Sequence, residues 1–282
     1  MAGGIAVVTD STAYLPSEAF GALEVTVVPL QVTIGGVSAP EGHAVTPAAV
    51  ASALAGWVPV TTSRPAPAEF VQAYRGVLNA GASGVVSVHL SSELSGTWEA
   101  ARMAAEEIGA GLVRVVDSRS AAMGLGFAVL AAAAAAQDGA SLPDTYTAAI
   151  DVIDRTTTLF YVDTLEYLRR GGRIGTAQAL FGTALSVKPI LHISDGRIMP
   201  LEKVRTSGRA VARLEALVTA AAGDGPVDVA VHHLAVPDRA AALAERLRAR
   251  LPGLRRLYAS EVGAVIGAHV GPGLLGVVVV RR

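Results

Sequence analysis

Gly84-Val85-Val86-Ser87-Val88-His89-Leu90, followed at once by Ser91-Ser92-Glu93-Leu94-Ser95-Gly96-Thr97, is the stretch whose reading decides the fold. The first seven residues read as a buried strand, and Trp98 to Ile108 beyond the turn read as a helix. Strand, turn and helix in that order form the repeating unit of an α/β fold. The turn itself crowds hydroxyls and a glycine against the start of the helix. It therefore offers side-chain donors, close backbone approach and unpaired helix N–H groups, a combination suited to an anionic head group such as a carboxylate or a phosphate. Two more small-polar segments share this character: Thr61-Thr62-Ser63-Arg64-Pro65 and Gly267-Ala268-His269-Val270-Gly271-Pro272-Gly273.

Outward from this stretch the alternation continues in both directions. Gly4 to Thr9 reads as a first buried strand closed by Asp10-Ser11-Thr12, with extended pieces at Val25–Leu30 and Gln31–Ile34. Thr46-Pro47 starts a helix over 47–55, because proline suits the first helical position. A second helix is expected over Pro67–Ala80. Leu112–Val116 is a strand ending at Asp117-Ser118, and helices follow over Ser120–Gln137 and from Leu142 to about Arg155. The pattern then restarts with a strand at Leu159–Val162 and a short helix at Leu165–Arg170, stopped by Gly171-Gly172. Lys188–Ser194 and Arg197–Glu202 flank Asp195-Gly196, a two-residue hairpin signal. Helix 207–222, strand 227–231, helix 238–250 and strands 254–259 and 274–280 complete the chain. The expected fold class is therefore α/β, as two packed α/β domains over 1–155 and 156–282 with a ligand between them.

Composition narrows the function classes. Of 282 residues 51% are hydrophobic, enough for a large core and too many for a disordered chain. Aromatics make up 5% and the net charge is −1, so neither base-stacking platforms nor a polyphosphate footprint is present, and nucleic acid is not an expected partner. The chain has no cysteine, which removes disulfides and thiolate metal sites. The longest apolar run, Phe127 to Ala136, is too short to span a bilayer, and residues 1–10 lack the pattern of a signal peptide. A cytoplasmic protein without stable membrane insertion is expected.

Catalytic signatures are missing. The sequence contains no G-x-x-x-x-G-K-[ST] loop, Gly124-Leu125-Gly126 lacks the third glycine of a dinucleotide fingerprint, and Ser95 sits in no G-x-S-x-G elbow. His232-His233 point to opposite faces of a strand, so one metal cannot easily take both. Asp10-Ser11-Thr12 and Asp117-Ser118 end strands and precede helical stretches, which reads as capping or as the lining of a cleft at the sheet's C-terminal edge.

Taken together, Val7-Val8-Thr9-Asp10-Ser11-Thr12, Thr62-Ser63-Arg64-Pro65, Leu90 to Thr97, Val116-Asp117-Ser118, Leu165-Glu166-Tyr167-Leu168-Arg169-Arg170-Gly171-Gly172-Arg173-Ile174, Lys188-Pro189-Ile190-Leu191 and Gly267 to Gly273 resemble the DegV family. The matches run in family order from about residue 5 to 280. The resemblance implies a two-domain α/β protein that buries a long-chain fatty acid in a tunnel between its halves. It further implies that the acid is presented to a separate ATP-dependent fatty acid kinase, which makes an acyl phosphate for phospholipid synthesis. By position, the family's carboxylate-binding residues fall on Thr62, Ser95 and His269, with Ser63 and the backbone around Gly96 as additions. The sequence departs from the family at Arg64, where glutamine is common, and at Ala268, where threonine is frequent.

The chemistry is consistent with that implication. Each buried methylene contributes roughly 0.8 kcal/mol, so an acyl chain drives its own burial, whereas an unpaired buried carboxylate would cost far more. Two hydroxyls and an imidazole N–H satisfy such an anion without catalysing anything. Phosphoryl transfer would need Mg²⁺ ligands and a nucleotide cradle, which a partner must bring. No cofactor is expected beyond the bound acid. Arg169, Arg170 and Arg173 cluster around the Gly171-Gly172 stop, either as cations at a solvated helix end or as a docking patch for an acidic kinase surface. The competing functions are a lipid-sensing regulator and a serine acyl hydrolase using Ser95 and His269 with Asp117 or Asp10.

Overall fold

A computed structural model describes residues 3–16, 23–42, 45–109, 111–180 and 188–282. The chain divides into two compact units, residues 1–31 with 63–154 and residues 32–62 with 155–282. A single boundary at 155 misplaces residues 32–62, which belong with the C-terminal half. Nothing in composition marks the excursion. It is held by tertiary contacts, among them the Val265 N–H donating to Glu41 Oε1 at 2.7 Å.

The first unit carries a four-stranded sheet in the order β2–β1–β6–β7, all parallel: β1 (Ile5–Asp10), β2 (Val25–Val28), β6 (Gly84–His89) and β7 (Val113–Asp117). Every residue of β6 is buried, as a central parallel strand requires. Helices α2 (Pro67–Asn79) and α3 (Thr97–Ile108) supply Phe70, Val71, Tyr74, Ala100, Ala101 and Ala104 to one apolar cluster with Val8, Val28 and Val85. Helices α4 (Met123–Gln137) and α5 (Leu142–Ile153) pair with each other and contact β1 and β6. Helix α4 begins at Met123 rather than Ser120, because Arg119 (φ 48°) and Ala122 (φ 53°) turn the chain before it.

The second unit carries a six-stranded sheet in the order β10–β9–β8–β13–β11–β12, built from β8 (Thr156–Tyr161), β9 (Lys188–Ser194), β10 (Arg197–Val204), β11 (Val227–His233), β12 (Leu254–Glu261) and β13 (Leu275–Arg281). Only β11 and β12 run parallel. Asp195 (φ 48°) and Gly196 (φ 78°) both adopt the left-handed conformation that a two-residue hairpin demands. Helices α7 (Ser207–Ala222) and α8 (Pro237–Arg250) bury Leu214, Val218, Leu243 and Leu247 against Leu159, Ile190, Val229 and Val277. A smaller sheet, β4–β3–β5, consists of β3 (Gln31–Ile34), β4 (Val37–Pro40) and β5 (Val60–Ser63). Helix α1 (Pro47–Ala55) keeps the bounds expected from Thr46-Pro47, with the Ala49 N–H donating to Thr46 Oγ1 at 3.2 Å. It contacts α9 (Ala264–Val270), which in turn contacts α6 (Glu166–Arg170). Among the described residues no helix is long and apolar enough to cross a membrane.

Candidate functional site

The candidate residues fall into two clusters, one in each unit. In the first unit, the end of β6 leads into the Ser91–Thr97 turn. The Leu94 and Ser95 N–H groups both donate to Ser91 O (3.0 and 3.1 Å), which curls the chain before α3 starts. Ser95 Oγ accepts the Thr97 N–H at 3.3 Å and shares a hydrogen bond of 2.9 Å with Thr97 Oγ1. Ser95 thus ties the turn to the first helical residue and remains partly exposed, whereas Thr97 is fully buried. Arg64 faces this turn: its Nη1 donates to Gly96 O at 3.1 Å, and a Cβ on Gly96 would come within 2.5 Å of that nitrogen. The departure at Arg64 therefore places a cation on the turn's backbone. Asp117 accepts from the Ser92 N–H (3.3 Å), the Ser92 hydroxyl (2.5 Å) and the Arg119 N–H (2.8 Å). Asp10 accepts the Thr12 N–H at 3.0 Å and caps the 3-10 turn Ser11–Ala13, as one of its two readings expected, whereas Asp117 closes a turn with Arg119 and the helix after it starts at Met123 with no side-chain cap.

In the second unit, His269 Nε2 lies 2.8 Å from Thr62 Oγ1, so β5 and α9 bring together two of the three residues assigned to the carboxylate. Burial, reinforced by the positive charge of Arg173, pushes the His269 imidazole down to about 4, so it is neutral at physiological pH. Its Nδ1 is buried and has no hydrogen-bond partner among the described residues. The first residues of the segment Gly267–Gly273 form the end of a helix, Ala264–Val270, that sequence reasoning did not read, and two glycines explain how it is seated. A Cβ on Gly171 would approach His269 Nδ1 to 2.1 Å, so the imidazole rests where a side chain would be. Gly271 has φ +73°, and a Cβ there would meet the Tyr167 ring at 2.0 Å. Ser63, the neighbour of Thr62 on β5, is exposed.

The three arginines are engaged rather than free. Arg169 forks onto Glu166 (3.0 and 2.7 Å), and Arg170 Nε donates to Glu166 Oε1 at 2.7 Å. The Arg170 guanidinium also stacks over the Trp57 ring at 4.8 Å, while Arg173 donates to Gly171 O at 2.7 Å. Hydrogen bonds from Arg169 and then Arg170 hold the Glu166 carboxyl at about 2. His232 is buried and pairs with Ser260 at 3.2 Å, whereas His233 lies 3.8 Å from Glu261. Among the described residues no group of three or more potential ligands could hold a metal ion.

The fold and these groups define a two-unit α/β protein with hydroxyl and backbone groups clustered in one unit and a hydroxyl beside a neutral imidazole in the other. The family follows from comparison. Residues 4–282 match the family profile described as "Uncharacterised protein, DegV family". A DegV domain-containing protein of Streptomyces coelicolor is 57% identical over 282 residues, covering all of both chains. The chain belongs to the DegV family. A solved structure described as fatty acid binding of a DegV family protein from Thermus thermophilus matches with a TM-score of 0.93 and 35% identity, covering 99% of this chain and 100% of that one. The structure of DegV from Bacillus subtilis, described as a fatty acid binding protein, matches at 0.88 and 35% identity with the same coverage.

Proposed function

We propose that this protein binds a long-chain fatty acid, holds its carboxylate with Thr62, Ser95 and His269, and presents it to a separate ATP-dependent fatty acid kinase. The observation that carries the binding half is the whole-chain match to the Thermus thermophilus protein described as binding fatty acid. Ser63 and the Gly96 backbone complete the proposed head-group set. The chemistry supports the division of labour. A carboxylate buried with an acyl chain must be met by donors, and the Thr62 and Ser95 hydroxyls are donors that neither consume nor activate it. His269 is held neutral by burial. It therefore acts through hydrogen bonding and leaves the acid's negative charge intact for a later attack on a phosphoryl group. The protein supplies no catalysis of its own in this scheme; nucleotide and Mg²⁺ belong to the kinase. Arg169, Arg170 and Arg173 form the proposed docking patch.

Incubating the full chain with oleate, ATP, Mg²⁺ and a fatty acid kinase tests the presenting role. Acyl phosphate should form in proportion to loaded protein, with no ATP turnover when the kinase is omitted. Tight oleate binding without acyl phosphate under these conditions would favour the sensor function instead.

A further inference from the structure

A Ser–His–Asp chain does exist in this protein, but not where the hydrolase alternative placed it. Asp10, Ser87 and His89, together with Tyr74, are all fully buried in the first unit. The Tyr74 hydroxyl donates to Ser87 Oγ at 2.8 Å, Ser87 Oγ lies 2.7 Å from His89 Nε2, and His89 Nδ1 lies 3.0 Å from Asp10 Oδ2. The same Asp10 Oδ2 accepts the Leu90 N–H at 3.0 Å. Its other oxygen accepts the Thr12 N–H at 3.0 Å and the Thr12 hydroxyl at 2.5 Å. The Phe70 ring closes the edge of His89 at 5.0 Å between centroids.

The donors can be ordered. Asp10 accepts backbone N–H groups at both oxygens, from Thr12 and Leu90, so the proton between His89 and Asp10 sits on Nδ1. Nε2 is then an acceptor, and the Ser87 proton points to it. Ser87 in turn accepts from Tyr74. This is the order of a nucleophilic triad, yet Ser87 is sealed in the core with tyrosine on its remaining side, which leaves no approach for a substrate. What the chain reaches is the backbone: Leu90 immediately precedes the turn that carries Ser95. The other flank of β6 repeats the arrangement, because Asp117 at the end of β7 accepts the Ser92 N–H at 3.3 Å. Two carboxylates, from the strands on either side of β6, thus grip the backbone at residues 90 and 92.

We propose that Asp10 is the positioning residue of the head-group turn, and that the buried Tyr74–Ser87–His89 chain aims its carboxylate at the Leu90 N–H. Its ligand-binding consequence rests on the fatty acid reading above; the ordering of the turn does not. The chain fixes which oxygen of Asp10 faces Leu90 and lowers the freedom of Ser95 before any ligand arrives.

The experiment compares full-length wild type with Asp10→Asn, Ser87→Ala and Tyr74→Phe, using imidazole ¹⁵N spectra, amide hydrogen exchange and oleate titration. In the wild type His89 should carry its proton on Nδ1 with Nε2 unprotonated. Tyr74→Phe and Ser87→Ala should shift the His89 Nε2 signal. Asp10→Asn should speed exchange at residues 90–97 by at least about tenfold relative to the amides of β13 and weaken oleate binding by about tenfold, the cost of one charge-assisted hydrogen bond. If Asp10→Asn does not fold, the two milder variants carry the test, with faster exchange in the turn as the supporting result. Protonation of His89 on Nε2, or exchange at residues 90–97 that none of the variants alters, would overturn the proposal. A wild type that binds no oleate contradicts the fatty acid reading and leaves the exchange and tautomer results to decide this one.

Discussion

The Ser91–Thr97 turn and the His269 helix carry the two halves of the candidate head-group set, and they are held by different physics. The turn is held by polar acceptors: Asp117 takes the Ser92 N–H, the buried Asp10 takes the Leu90 N–H just before it, and Ser95 Oγ accepts the Thr97 N–H. The His269 helix is held by shape. Its imidazole sits over Gly171, and Gly271 leaves room for the Tyr167 ring. A region held by acceptors fails when a charge is removed; a region held by close fit fails when a methyl group is added.

The largest effect therefore belongs to the glycines. Gly271→Ala adds a Cβ into the Tyr167 ring at a left-handed position, and Gly171→Ala drives one into His269. Each should destabilise the protein by roughly 2–4 kcal/mol through overpacking and strain, seen as a lowered urea midpoint. Gly171→Ala should also break the Thr62–His269 hydrogen bond. A midpoint unchanged by both substitutions would show that shape does not hold this helix.

Next come the head-group substitutions. Thr62→Val, Ser95→Ala and His269→Ala should each weaken fatty acid binding by roughly 1–3 kcal/mol, the cost of one donor lost to a buried charge. A fatty alcohol, which lacks the full charge, should lose less. Equal losses for acid and alcohol would place these residues on the acyl chain instead of the head.

Acid should separate the two regions more gently. In the unfolded chain His269 titrates near 6.5, and in the folded protein near 4. Between those values the unfolded chain binds the extra proton, so the stability that neutral His269 contributes is complete above about 6.5 and is lost as pH falls toward 4. His232, pushed down to about 4 by burial, adds to the same slope. His269→Gln should flatten part of the decline in the urea midpoint between pH 7 and 5. A slope identical to wild type would contradict the depressed imidazole.

The smallest effect on ligand affinity is expected at the arginines. Arg170→Glu with Arg173→Glu should leave oleate affinity nearly intact while reducing kinase-dependent acyl phosphate formation, most of all at low salt. Removing the Arg173 charge should also raise the His269 titration midpoint, since that charge helps to hold it down. Undiminished acyl phosphate output at low and moderate salt would remove the patch from the docking surface.

The same contrast explains what could be read from the sequence. The turn was legible because strand, hydroxyl-rich loop and helix follow one another locally, and Thr46-Pro47 fixed α1 for the same reason. The His269 helix was not, because it is only seven residues long between the cap glycines 263 and 271, and Gly267 inside it depresses helix propensity and is tolerated for a tertiary reason: a Cβ there would lie 3.3 Å from Leu234. Strands β4 and β5 have four residues each, and β5 is Val-Thr-Thr-Ser, too short and polar to stand out. Membership of residues 32–62 in the second unit depends on contacts more than 200 residues apart, such as Glu41 with Val265. The buried Asp10–His89–Ser87 chain did leave a trace. Ser87 and His89 are alternate residues of an otherwise apolar strand, which marks a polar strip on one face of β6.

The central claim is that the protein carries a fatty acid, and the most direct measurement is mass spectrometry of the ligand extracted from purified protein under denaturing conditions. The account predicts a fatty acid of roughly 14 to 20 carbons, long enough for methylene burial to drive binding, at close to one per chain. Extraction that yields no acyl species, from protein that also fails to take up added oleate or palmitate, would contradict it.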